Sequence, residues 1–287
     1  MLSYALKRLA LVIPTLVGVT FLVFLTVHLI PGDPAVALLG TMATKERLAQ
    51  LRAELGLDEP LLVQYMIWLE NLLHGDMGKS VSMRGLPVAE IVLEKYLNTL
   101  ILTAGALFVC FVGGVTVGTL AGLRQYSWFD KTSMFLAQFG ANVPVFWLAI
   151  VLMWIFALEL DWLPSSGMYS LRTGPTLGSI LQHLILPAIA TATVSLAIIA
   201  RTTRSNIIDC MNAEFIRTFR AEGIPEWLIV AKHVFRNILS SLVNITGLQA
   251  GYLLGGAIFI EVVFNWPGLG SQLYKAIVTQ DIPVIQG

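Results

Sequence analysis

Five stretches of the chain, residues 9–30, 100–123, 133–158, 184–200 and 238–260, contain no Asp, Glu, Lys or Arg. About 20 helical residues at roughly 1.5 Å each cross the hydrocarbon core of a bilayer, so four of these runs are long enough as they stand. The run at 184–200 is the shortest and is expected to begin earlier. Lipid offers backbone N–H and C=O groups no partners, which leaves helix as the conformation for each run. Pro14, Pro144 and Pro187 are then tolerated kinks or ends. The expected class is all-α, a polytopic membrane helical bundle with five visible spans.

Composition agrees: 56% of the residues are hydrophobic and 13% charged, against about 45–50% and about 25% in a soluble domain. The 18 basic and 18 acidic residues cancel, so overall charge points to no nucleic acid and only its distribution is informative. Cys110 lies in an apolar run and Cys210 in a basic loop, a poor basis for a disulfide. The first run follows Lys7-Arg8, is about twice the length of a signal-peptide core and lacks a small-residue cleavage site, so it reads as a retained span.

With a cytoplasmic N-terminus, the inner segments hold Lys7, Arg8, Arg124, Lys131, Arg201, Arg204, Arg217, Arg220, Lys232 and Arg236. Six of the other eight basic residues fall in a 68-residue outer loop, too long for the positive-inside rule to weigh fully. The chain thus divides into an N-terminal segment with its first span (1–30), an extracytoplasmic cap loop (31–98) and a core (99–287) containing a cytoplasmic segment at 201–236. The cap has helical signals of its own, Thr44 before Lys45-Glu46-Arg47 and an apolar stretch from Leu61 after Pro60.

In the cytoplasmic segment Ile207, Ile208, Met211, Phe215, Ile216 and Phe219 recur at helical spacing among Asp209, Asn212, Glu214, Arg217 and Arg220. One helix is expected to end at Gly223 and another to start near Pro225. By periodicity alone, such a hairpin fits a lipid surface and a partner's groove equally.

Polar residues inside the spans serve either of two ends, lining water or bonding helix to helix. The candidates for a pathway lining are Gln138, Asn142, Thr193, Asn244, Gln249 and Tyr252, and no charged residue joins them. Gly114, Gly118 and Gly122, and again Gly251 and Gly255, read as close helix packing. His28 and His183 read as interface residues rather than metal ligands, and no histidine is followed by Glu, so the zinc-protease pattern is missing. Gly75-Asp76-Met77-Gly78-Lys79-Ser80 imitates a phosphate loop but has Leu73 where the first glycine belongs. A redox or hydrolytic membrane enzyme, or a channel or secondary transporter, is the rival class.

The stretch Glu214-Phe215-Ile216-Arg217-Thr218-Phe219-Arg220-Ala221-Glu222-Gly223 resembles the signature cytoplasmic loop of binding-protein-dependent ABC permeases. Further segments are similar to the dipeptide, oligopeptide and nickel subfamily: Pro31-Gly32-Asp33-Pro34, Leu55-Gly56-Leu57-Asp58-Glu59-Pro60, Ile185-Leu186-Pro187-Ala188, Arg201-Thr202-Thr203-Arg204, and Phe264-Asn265-Trp266-Pro267-Gly268-Leu269-Gly270. This resemblance implies the type I importer permease (MetI-like) fold in a bacterial inner membrane, with a sixth span beyond the five seen. It implies a heterodimer with a second permease, two cytoplasmic ATPase subunits and an extracytoplasmic substrate-binding protein. This subunit would hold no cofactor and no catalytic site, ATP and Mg being bound by the ATPases. Glu214, Phe215, Arg217, Thr218, Arg220, Ala221, Glu222 and Gly223 would couple to them. The implied cargo is a dipeptide or oligopeptide first, with glutathione or a nickel chelate as the alternative.

Overall fold

The computed structural model describes residues 2–29, 44–54, 58–83, 85–172 and 174–287, and these are helical throughout apart from loops and one isolated bridge. Pro31-Gly32-Asp33-Pro34 and Leu55-Gly56-Leu57 lie outside the described residues. The chain forms two compact units, Met1–Lys95 with Gln272–Gly287, and Tyr96–Ser271.

In the first unit, α1 (Leu2–His28) is a long apolar helix with Pro14 inside it, followed by α2 (Lys45–Glu54) and α3 (Leu61–Leu73). Tyr65 fastens α3 to α1: its ring packs between Phe21, Phe24 and Trp68. Its hydroxyl donates to the Val17 carbonyl at 3.2 Å and shares a 2.9 Å hydrogen bond with Thr20. His28 bonds the Phe24 carbonyl and the Gln64 side chain, a structural use of the ring. Among the described side chains of α1, Leu11, Ile13, Leu16 and Leu22 are exposed, as suits a helix solvated by lipid.

The same unit holds the short α11 (Ile282–Gln286), packed on α1 and preceded by the buried Asp281. The Asp281 carboxylate accepts from the Ser80 and Ser82 hydroxyls at 2.5 and 2.6 Å and from the N–H groups of Val81 and Ser82. The segment that imitates a phosphate loop therefore ends in a clasp for a carboxylate of its own chain. Burial pushes Asp281 up, but these four donors outweigh it and hold the carboxyl below the usual range.

The second unit is built around α7 (Leu177–Met211), whose apolar window is 61% buried, against 11–28% for the other three long helices. Thr176 caps its start by accepting from the Ser179 N–H, and Pro187 is absorbed within it. Around it lie α4 (Val88–Leu123), α5 (Trp128–Asn142), α6 (Val145–Met153, continuing as a π-helical turn to Glu159) and α9 (Glu226–Gly256). Gly114, Gly118 and Gly122 of α4 run parallel to Ile199, Ala200 and Ile207 of α7. A Cβ at Gly114 or Gly122 would lie 2.8 Å from an isoleucine methyl, and at Gly118 it would run into the Ala200 carbonyl oxygen, so the expected close packing is present here. At Gly251 and Gly255 an added Cβ meets no atom of the described residues within 4 Å, so neither glycine is at a close helix contact among them.

Two expectations need correction. The apolar run 133–158 is not one helix: α5 and α6 meet at 105°. Pro144 has no N–H to give and forces Val143 to an extended ψ of 133°, so the helix ends there instead of bending slightly. The run 207–219 is likewise split, since α7 stops at Met211 and α8 (Glu214–Ala221) starts anew after Asn212 and Ala213. Helices also overrun the charge-free runs, α4 starting at Val88 and α7 reaching Met211. Four helices are long and apolar enough to cross a membrane, five if the bent pair counts as one span; the sixth implied by the resemblance is not among the described residues.

Candidate functional site

α8 is eight residues long and too short to persist alone, so tertiary packing must hold it. Ile216 does this: it is fully buried among Ile207, Ile229, Val234, Ile238 and Leu242, with Phe219 and Ile224 half-buried beside it. The Phe219 ring also lies 4.1 Å from that of His233. Downstream, the Gly223 N–H donates to the Arg220 carbonyl and the Ile224 N–H to the Phe219 carbonyl. With Gly223 at φ 77°, that pair of bonds is a Schellman cap with its apolar Phe219–Ile224 contact, as the glycine predicts. Arg220 Nε donates to Glu226 across the turn at 2.5 Å. Glu214, Phe215, Arg217, Thr218, Arg220, Ala221, Glu222 and Gly223 are all exposed. The eight coupling candidates thus form one outward surface on a helix whose inward side is riveted to the bundle.

The six pathway candidates separate. Gln249 is buried and its side-chain oxygen accepts from the Ser195 hydroxyl at 2.8 Å, which makes it a clamp between α9 and α7. Asn244 and Tyr252, two turns apart on α9, are exposed on one face with Leu248 between them. Gln138 and Asn142, one turn apart on α5, are also exposed, the Asn142 amide donating to the Gln138 carbonyl. Thr193 is half-buried, with its hydroxyl turned back to the Ile189 carbonyl and its methyl against Gly140. His183 is buried and bonds the Ser179 carbonyl.

Three polar clusters in this unit escaped the sequence reading. Asp130, near the start of α5, takes a bidentate pair from Arg204 of α7 at 2.5 and 2.7 Å and accepts from the Tyr126 N–H. Asn206 of α7 donates to Ser241 of α9 at 2.8 Å. Glu261 on α10 (Ile258–Val263) is fully buried, accepting from the Thr99 hydroxyl at 2.6 Å and the Ser271 N–H at 3.0 Å. Burial raises the Glu261 carboxyl, and the bonds from Thr99, Ser271 and Gly270 do not cancel that. Asn98 donates to the Pro267 carbonyl and accepts from the Trp266 indole, so Asn98 and Thr99 tie α4 to the Trp266-Pro267-Gly268 turn. Only glycine fits at 268, where a Cβ would strike the Glu261 carboxylate.

Comparisons with known proteins bear on the whole chain. The model of the "Binding-protein-dependent transport system inner membrane component" family matches residues 114–287, and that of its N-terminal region matches residues 1–100. The chain is 41% identical to the dipeptide transport system permease protein DppB of Alkalihalophilus pseudofirmus, covering 100% of this chain and 91% of that protein. It is 42% identical to the glutathione transport system permease protein GsiC of Salmonella typhi, covering 100% and 90%, and 38% identical to DppB of Escherichia coli K12, covering 100% and 91%. Among solved structures it is similar to a chain of the inward-facing MetNI methionine ABC transporter, with a TM-score of 0.53 and 18% identity, covering 68% of this chain and 88% of that one. That likeness speaks for the fold alone. A broken-span helical bundle around α7, matched by these families over residues 1–100 and 114–287, places the chain in the binding-protein-dependent transport system inner membrane component family, as a multi-pass permease subunit of an ABC importer.

Proposed function

We propose that this subunit forms half of the translocation pathway for peptides, dipeptides first, in an importer driven by partner ATPases. The observation that carries the coupling role is α8, anchored by Ile216 and capped at Gly223, with its eight candidate residues exposed together. A short helix fixed on one side and free on the other suits seating in a groove of a subunit that moves. The basic residues support an orientation: Arg201, Arg204, Arg217, Arg220, Lys232 and Arg236 around α8 favour a cytoplasmic face for that segment, and Lys7 and Arg8 favour a cytoplasmic N-terminus. ATP and Mg belong to the two ATPase subunits, and a second permease completes the pathway. The loop 31–98 is read as the docking surface for a substrate-binding protein, since 68 residues far exceed what a plain connection needs.

Dipeptide is favoured by the similarity to two dipeptide permeases; glutathione, also a peptide, is the second reading, favoured by the 42% identity to a glutathione permease. The whole complex in lipid nanodiscs, titrated with binding protein carrying a dipeptide, glutathione or a nickel chelate, tests both by stimulation of ATP hydrolysis. Stimulation by dipeptide bears out the proposal and stimulation by glutathione alone the second reading. A complex that responds to the nickel chelate and to neither peptide overturns both.

A further inference from the structure

A cavity of about 540 Å3 lies between α5, from Asp130 to Gln138, and the second half of α7, from Ala197 to Arg204. That is within the range of about 300–1,000 Å3 of small-molecule sites. One side of it is apolar, built from Met134, Phe135, Ala137 and Ala197. The other is cationic, with Lys131 from α5 and Arg201 and Arg204 from α7.

The charges in the cavity are not balanced from within. Asp130 is consumed by Arg204, whose Nε and Nη2 both point at it. Lys131 and Arg201 are exposed, and among the described residues neither has a carboxylate at ion-pair distance. Arg201 lies one turn before Arg204, so the ion pair holds the helix face that presents Arg201. The site therefore offers two cations outside any ion pair, Arg201 and the Lys131 that follows Asp130 in sequence, beside the Asp130–Arg204 pair and the apolar residues.

Its depth in the membrane is marked by its neighbours. Tyr126, which lines the cavity, is 75% exposed and Trp128 is 86% exposed, amphipathic rings of the kind that sit at headgroup level. Phe135 is exposed too and stacks on Phe139 along α5, extending the apolar wall toward the bilayer interior. The complement of this lining is a molecule with an anionic group at one end and hydrocarbon at the other.

We propose that the cavity binds the phosphate of an anionic glycerophospholipid, with Arg201 and Lys131 on the phosphate and an acyl chain along Met134, Phe135 and Ala197. The lipid would brace α5 against α7 next to Gln138, which also lines the cavity. The inference goes beyond the transport reading and does not depend on the cargo or on which side of the membrane the site faces.

The test is lipid retention by the assembled complex in native mass spectrometry, after exchange into detergent with phosphatidylglycerol, cardiolipin or phosphatidylcholine. Wild type should retain the anionic lipids in preference to phosphatidylcholine. At about fivefold per cation contact, the Lys131→Gln/Arg201→Gln double variant should bind them about thirtyfold more weakly. Lys275→Gln, the loss of one positive charge from the exposed face of another helix, should leave retention unchanged. Equal retention by wild type and the double variant would overturn the proposal. Displacement of the lipid by inorganic phosphate would reduce the site to a free-anion site, and displacement by a dipeptide would make it part of the pathway; either outcome overturns the lipid assignment.

Discussion

Two glycine stripes with the same four-residue spacing have opposite surroundings. Gly114, Gly118 and Gly122 on α4 are filled to contact by α7, whereas Gly247, Gly251 and Gly255 on α9 face open space among the described residues. The second stripe lies beside the exposed Asn244, Leu248 and Tyr252. One stripe completes its contacts inside the chain and the other does not, a difference that spacing alone cannot convey. The same division runs through the polar groups. Asp130, Gln249, Glu261 and Asp281 are satisfied by their own chain, while the outward side of α8 is exposed, with Arg220 paired to Glu226 across the turn.

The contrast is sharpest under a matched pair of substitutions. Gly118→Leu drives a side chain into the Ala200 backbone, which cannot rotate away, so the cost should reach or exceed about 3 kcal/mol, the upper part of the overpacking range. Gly251→Leu meets nothing and should change the stability of the isolated subunit by no more than about 0.5 kcal/mol. Thermal unfolding of both variants in one detergent reads the difference. If a second permease covers the α9 face, Gly251→Leu should instead lower the yield of assembled complex; equal losses of subunit stability would erase the comparison.

Asp281 is the next largest effect, as a closed contact whose loss strands two hydroxyls and two N–H groups. Asp281→Asn should destabilise by about 1–3 kcal/mol at neutral pH. Since the folded carboxyl is held below its ordinary value, its contribution is complete above the unfolded value of about 3.9 and is lost as pH falls through the folded one. Wild type should therefore lose stability on that acid side and the Asn variant should lack that part of the slope. Parallel profiles for the two would contradict the clasp.

Arg220→Gln stands at the small end. Its pair with Glu226 is exposed at both partners, 44% and 57%, so unfolding should be unchanged within error. Any effect should be on coupled ATP hydrolysis alone.

How much of this was legible in the sequence depends on the range of the interaction. The spans, the Gly223 stop and the restart after Pro225 are local and were readable from charge-free runs and cap residues. Pro144 was visible as an interruption, but the 105° angle depends on how α6 packs against α7 and α10. Helix ends were misplaced where Glu90, Glu94 and Lys95 in α4, or Arg201 and Arg204 in α7, extend a helix past its apolar run. Asp130–Arg204 and Ser80–Asp281 join residues 74 and 201 positions apart and leave no local signal. Arg204 looked like one more basic residue of an inner loop. Gln249 had the composition of a pathway residue, and only its Ser195 partner reveals a clamp.

The central claim is that α8 hands motion from an ATPase to this subunit, and Gly223→Leu tests it most directly. A Cβ at that position meets no neighbour, so the variant strains only the backbone at φ 77°, by about 1–2 kcal/mol, and should leave the rest of the bundle folded. In the reconstituted complex, substrate-stimulated ATP hydrolysis and uptake should both fall well below wild type while subunit assembly persists. Wild-type stimulation and uptake in a fully assembled Gly223→Leu complex would contradict the account.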